Sequence, residues 1–139
     1  MDHERAASFI EALHRAQAEL YSGGSEEGVR SLLTPDVVWH VPGTSPIAGR
    51  YQGVEDVVTY MRRRRDLADR TFRMHLREIL VGEGEVFAAL TDGTAVIDGQ
   101  AREWSTIGLY RLRDDRLAEC RLIPFDAAGF DAIWASSSS

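Results

Sequence analysis

The sequence predicts an α+β fold in which helices come first and a long curved sheet follows. Three observations carry this expectation. Apolar residues recur with a helical period in the first third of the chain. Four β-rich segments fill the second half. The breaks between those segments are only two or three residues long, which joins them as antiparallel neighbours.

The elements follow in order. From Asp2, the positions Ala6, Phe9, Ile10, Leu13, Ala16 and Leu20 repeat every 3.6 residues, so an amphipathic helix runs to Gly23-Gly24. Ser25, with Glu26 and Glu27 behind it, caps a short second helix carrying Val29, Leu32 and Leu33. Val37 to Val41 is β-branched and aromatic and stops at Pro42-Gly43, the pattern of a strand. A Gly/Pro-rich loop leads to a third helix starting near Val54, with Val57, Val58, Met61 and Arg65 on one face. The β-rich segments are Thr71 to Val81, Glu85 to Ile97, Ala101 to Arg113 and Arg116 to Phe125. Asp98-Gly99 between the second and third is a type I′ hairpin signal. A last short helix, Ala127 to Trp134, offers Phe130, Ile133 and Trp134 for packing.

Composition limits the chemistry. The chain has 139 residues and is 44% apolar and 27% charged, which suits one domain over 1–135, with 136–139 a disordered serine tail. All 16 basic residues are arginine, so Schiff-base chemistry and a Walker A lysine are excluded. The single Cys120 excludes intrachain disulfides and Cys-rich zinc sites. A net charge of −6 disfavours nucleic acid. No long apolar run points to a membrane, and the polar start MDHERAASF is unlike a signal peptide, so the expected location is cytoplasmic. No HxH, HExxH or GxGxxG spacing calls for a metal or a dinucleotide, so no cofactor is expected. Arg62 to Arg65 fan out around a helix and read as a solvated helix end. His75 shares a face with Arg73 and Arg77 and reads as solvated or at an interface, and His14 lies off the first helix's apolar stripe.

Strand alternation places Trp104, Thr106, Gly108 and Tyr110 on one face and Ser105, Ile107 and Leu109 on the other. Both faces are apolar, and the helices suffice for only one of them. A homodimer through the outer sheet face is the economical expectation.

Val38-Trp39-His40-Val41-Pro42-Gly43, then Ser45-Pro46-Ile47-Ala48-Gly49, Tyr51 and Gly53, resembles the nuclear transport factor 2-like superfamily. More closely it resembles the branch of SnoaL-like polyketide cyclases and ketosteroid isomerases. The ending Ile123-Pro124-Phe125-Asp126, with Phe130-Asp131 and Trp134, is similar to that branch too. The resemblance implies a cone, cystatin-like in outline: a mostly antiparallel sheet wrapped over three N-terminal helices, with an apolar pocket open at one end. It implies a cyclase, isomerase or hydratase/dehydratase that moves protons on an apolar, cyclic carbonyl compound, or else a non-catalytic binding protein for a lipophilic molecule.

The resemblance sets His40 on the position of the isomerases' catalytic base; alternation then turns Val38 with it into the pocket and Trp39 toward the opposite face. Gly108 and Ala16 stand where those enzymes keep their oxyanion donors, so steroid isomerisation itself is not expected. Gly108 would leave the wall open, with Trp104, Thr106 and Tyr110 available to stack on a ligand. Arg121 and Ile123 share a strand face, and an inward Arg121 would need a carboxylate or an anionic substrate group. Asp126 is either the N-cap of the last helix or a catalytic acid, and Asp126 and Glu119 are the carboxylates nearest to hand for orienting His40.

Overall fold

The computed structural model describes residues 1–135; the serines 136–139, and with them the expected tail, lie outside the described residues. The element order is α1 (His3–Tyr21), α2 (Glu27–Ser31), β1 (Leu33–Val41), β2 (Gly49–Gln52), α3 (Val54–Leu67), β3 (Arg73–Val81), β4 (Val86–Ile97), β5 (Gln100–Arg113), β6 (Arg116–Pro124) and α4 (Ala127–Ala135). Asp2 caps α1 through its carboxylate, which accepts from the Arg5 amide at 2.8 Å. The Ser25 hydroxyl accepts from the Glu27 amide at the head of α2. Among the described residues no helix is long and apolar enough to cross a membrane.

The strands form one unclosed six-stranded sheet in the order β2-β1-β6-β5-β4-β3, antiparallel except for the β1–β6 pair. The hairpin turns are as tight as their sequences suggest. Asp98 (φ 54°) and Gly99 (φ 77°) both adopt positive φ, as a type I′ turn requires, and Asp114 (φ 53°) and Asp115 (φ 61°) do the same without glycine.

Two differences from the sequence reading concern β1 and its neighbour. The strand begins at Leu33 rather than Val37, because Leu33 pairs with Leu117 ahead of a break in register between Leu33 and Val38, a stretch that contains Pro35. Gly49 to Gln52, expected as loop, adds an edge strand to β1.

Helices α1 and α3 pack on one face of the sheet and on each other. The core lies between, built from Ile10, Leu13, Leu20, Val57, Val58 and Met61 on the helices and from Val37, Trp39, Phe87, Leu117 and Leu122 on the strands. The other face is bare in the single chain: Leu80, Leu109, Ile123 and Phe125 are all exposed there.

Candidate functional site

A small cavity of about 30 Å³ lies between the helices and the concave face of the sheet. It has room for roughly one or two waters. Helix α1 contributes His14 and Gln17, α3 contributes Arg64, and β1 contributes Trp39. The sheet adds Thr91, Trp104, Thr106 and Tyr110. Thr91 and Thr106 are cross-strand partners, so their side chains rise together from the centre of the concave face.

Each polar residue arrives by its element's periodicity. Gln17 follows Leu13 by four positions and precedes Leu20 by three, on the apolar stripe of α1, and His14 is one turn before it. Arg64 follows Met61 by three and Tyr60 by four on the buried side of α3. Sequence periodicity allowed Arg65 on that face; the helix rotates Arg64 there instead, leaving Arg65 half-buried.

Arg64 is the one buried charged residue among those described, with 5% of its surface exposed. Its Nη1 donates to the Tyr60 hydroxyl at 2.7 Å. Aromatic faces surround it: Phe72 at 4.4 Å, Trp134 at 5.2 Å, Tyr60 at 5.4 Å and Tyr21 at 5.8 Å from the guanidinium carbon. Its Nε, Trp39 Nε1 and Thr91 Oγ1 are buried and make no well-formed hydrogen bond among the described residues; the Tyr21 hydroxyl near Arg64 and the Tyr60 hydroxyl near Trp39 are the acceptors closest to two of them. Native proteins rarely leave three such groups on one cavity. Burial pushes the His14 imidazole down to about 4, so it is neutral at neutral pH.

Aromatic rings close the space. Trp104 meets Phe72 edge-on at 5.4 Å and reaches α4 through Trp134 at 5.4 Å and Phe130 at 6.2 Å. A Cβ at Gly93 would strike the Trp104 indole, so the glycine exists to let that ring lie flat on β4. Gly108 acts alike for Tyr110, whose ring folds back over it and stacks on Phe87 at 5.2 Å. The expected open wall at Gly108 is therefore corrected: Tyr110 fills it.

Of the residues singled out from sequence, Trp104, Thr106 and Tyr110 do line the cavity. His40 and Val38 do not. Val37, Trp39 and Val41 are buried, so His40 and Val38 project from the opposite side of the sheet, both half-buried. His40 Nε2 lies 3.0 Å from Glu119, and Arg111 Nε lies 3.5 Å from the same carboxylate. The His40 hydrogen bond, then Arg111, holds the Glu119 carboxyl below its usual range. The histidine–carboxylate pair considered from sequence thus exists with Glu119, but outside the cone. The physical reason is area: Trp39 has far more apolar surface to bury than His40.

Arg121 and Ile123 are likewise corrected. Cys120 and Leu122 take the inner face of β6, so Arg121 and Ile123 are exposed on the outer one. Asp126 is exposed and its Oδ1 accepts from the Gly129 amide at 2.9 Å, the N-cap role, and it is not among the residues lining the cavity. His75 is exposed, as expected. Trp39, expected to face away from the pocket, lines it instead, and sequence does not single out His14, Gln17, Arg64 or Thr91 as site residues. One signal for them existed: a glutamine interrupting the stripe of α1.

The sequence profile of the SnoaL-like domain matches residues 9–120. A search of curated protein sequences finds no match. Among solved structures, Bal32a from a soil-derived mobile gene cassette is similar with a TM-score of 0.82 at 23% identity, over 94% of this chain and 98% of that one. TerC, co-crystallised with polyporic acid, has a TM-score of 0.73 at 20% identity, over 90% and 96%. A Xanthomonas campestris protein provisionally named a polyketide cyclase has a TM-score of 0.71 at 16% identity, over 94% and 96%. At these identities the likeness concerns the fold, which is nuclear transport factor 2-like.

Proposed function

We propose that this chain, which belongs to the SnoaL-like domain family, is a cofactor-independent enzyme that moves a proton on a small carbonyl compound held in the cone. The supporting observation is a neutral His14 on the same cavity as two buried, unsatisfied donors, Trp39 Nε1 and Thr91 Oγ1. A neutral imidazole accepts a proton from a carbon next to the carbonyl. The enolate oxygen so formed takes hydrogen bonds from Trp39 and Thr91, which are already desolvated and fixed by packing. The proton then returns from His14 to carbon; in an aldol closure the enolate carbon instead attacks a second carbonyl of the same molecule, and His14 gives its proton to the alkoxide so formed. The cavity volume of about 30 Å³ limits what fits while Trp104 stays flat on Gly93; a cyclic substrate requires that half-buried ring to turn outward.

The test is hydrogen exchange at carbon. Small cyclic ketones and 1,3-diones in D2O lose their α-protons faster with the protein present, as read by proton NMR, and His14→Gln abolishes the acceleration. No acceleration with any of them, while they bind, would favour the second reading. That reading is a non-catalytic binding protein, favoured by Ala16 and Gly108 at the positions where the isomerases keep their oxyanion donors.

We also propose that the bare sheet face, with Ile107, Leu109, Ile123 and Phe125 adjacent on β5 and β6 and in the turn after β6, forms a homodimer.

A further inference from the structure

We propose that Arg64 is the counter-ion of the ligand, so that the cone takes a small organic acid in its ionised form, a carboxylate or an acidic enol. The inference rests on the reading that the cavity receives a small molecule, and it adds the charge of that molecule.

A guanidinium stays protonated under all ordinary conditions, and taking it out of water is costly unless an opposite charge or a full set of acceptors compensates. Arg64 is buried, and no carboxylate pairs with it among the described residues; its polar neighbours are neutral hydroxyls, Tyr60, to which Nη1 donates, and Tyr21. The surrounding ring faces stabilise a cation but accept no in-plane hydrogen bond.

The geometry then states what is missing. With Nη1 committed to Tyr60, the remaining edge of the fork is Nε with Nη2, and Nε is buried without a well-formed hydrogen bond. Two parallel N–H groups on one edge match the two oxygens of a carboxylate, or the oxygen pair of a deprotonated 1,3-dione. The cavity lining contains no Asp or Glu to repel such a ligand, and it adds unsatisfied donors at Trp39 Nε1 and Thr91 Oγ1. A neutral ketone would satisfy those two donors and leave the guanidinium charge uncompensated. A planar monoanion satisfies both.

Calorimetric titration of the full chain with acetate and benzoate, against acetamide, benzamide and chloride, tests this. Both carboxylates are expected to bind at least 10-fold more tightly than their amides, with chloride weaker than acetate. Arg64→Met is expected to fold with an undiminished melting temperature and to lose the preference for the carboxylates; Arg64→Gln serves if the methionine variant does not fold. Amides binding as tightly as carboxylates to the wild-type chain would overturn the inference. So would carboxylate preference surviving in Arg64→Met or Arg64→Gln, which assigns the binding to another cation, and so would chloride matching acetate, which assigns the site to an inorganic anion. If carboxylates fail to bind while α-proton exchange on neutral ketones persists, this inference falls and the proposed proton transfer stands. If His14→Gln abolishes exchange yet leaves carboxylate binding intact, both stand.

Discussion

The carboxylate of Asp131 accepts two hydrogen bonds from Thr44, from its amide at 2.8 Å and its hydroxyl at 2.9 Å, and a third from the Ser45 amide at 2.8 Å. This ties α4, which carries the rings over Trp104, to the loop between β1 and β2. The three donors hold the Asp131 carboxyl below its usual range, the backbone and hydroxyl bonds of Thr44 first. A carboxyl lowered on folding stabilises above its unfolded pKa and loses that contribution as pH falls through the folded value. Asp131→Ala is therefore expected to lower the melting temperature at pH 7 but much less near pH 2. It should also raise acrylamide quenching of tryptophan at pH 7. Equal quenching in both proteins would separate α4 from cavity access.

His14 gives the opposite kind of titration. Burial drops its pKa from the usual 6.5 to about 4, so the unfolded chain binds a proton there that the folded chain refuses. Stability therefore rises between about pH 4 and 6.5, by on the order of 2–3 kcal/mol. Urea unfolding of wild type and His14→Gln across that range should show the variant's profile flatter by this amount. Parallel profiles would mean that His14 is hydrated.

Gly93 and Gly108 are spaces for rings. Gly108→Ala puts a methyl against Tyr110, which is stacked on Phe87 and cannot retreat, and a loss of about 1–3 kcal/mol is expected from denaturant melts. Gly93→Ala meets Trp104, which is half-buried and can turn outward. Its stability cost should be smaller, and its tryptophan emission should shift red. Equal costs at both positions would contradict a movable Trp104.

His40 should be dispensable to the cavity. The pair with Glu119 lies on the outer face, where such contacts contribute under about 1 kcal/mol. His40→Ala is expected to leave α-proton exchange unchanged. A loss comparable to that of His14→Gln would return catalysis to the outer face.

The homodimer is tested by analytical ultracentrifugation. The wild-type chain should sediment as a dimer, and Ile123→Glu, which charges the middle of the bare patch, as a monomer.

Much of the fold was legible because its signals are local. The apolar stripe of α1, the positive-φ turn at Asp98-Gly99 and the inward row from Trp104 to Tyr110 each follow from neighbouring residues alone. The site was less legible, and β1 shows why. Alternation shows only that Val38 and His40 share one face and Val37, Trp39 and Val41 the other; likeness to the loop of a catalytic family sets the His40 face inward. Packing decides between them, and it favours burying the tryptophan. Arg64 was hidden for a different reason. Four consecutive arginines read as a solvated run, and which of them faces inward depends on a helix rotation of one residue. Gln17 alone left a readable trace.

On the proposed reading, ligands meet Trp39 inside the cone rather than His40 outside it. The direct measurement is a 1H–15N NMR titration of the wild-type chain with benzoate, following the tryptophan indole Nε1–H signals and the backbone amides. The expected result is a large, saturable shift of the Trp39 indole, with the amides of His40, Glu119 and Arg121 moving little. A static Trp39 indole, with shifts gathered on those three outer residues, would contradict it.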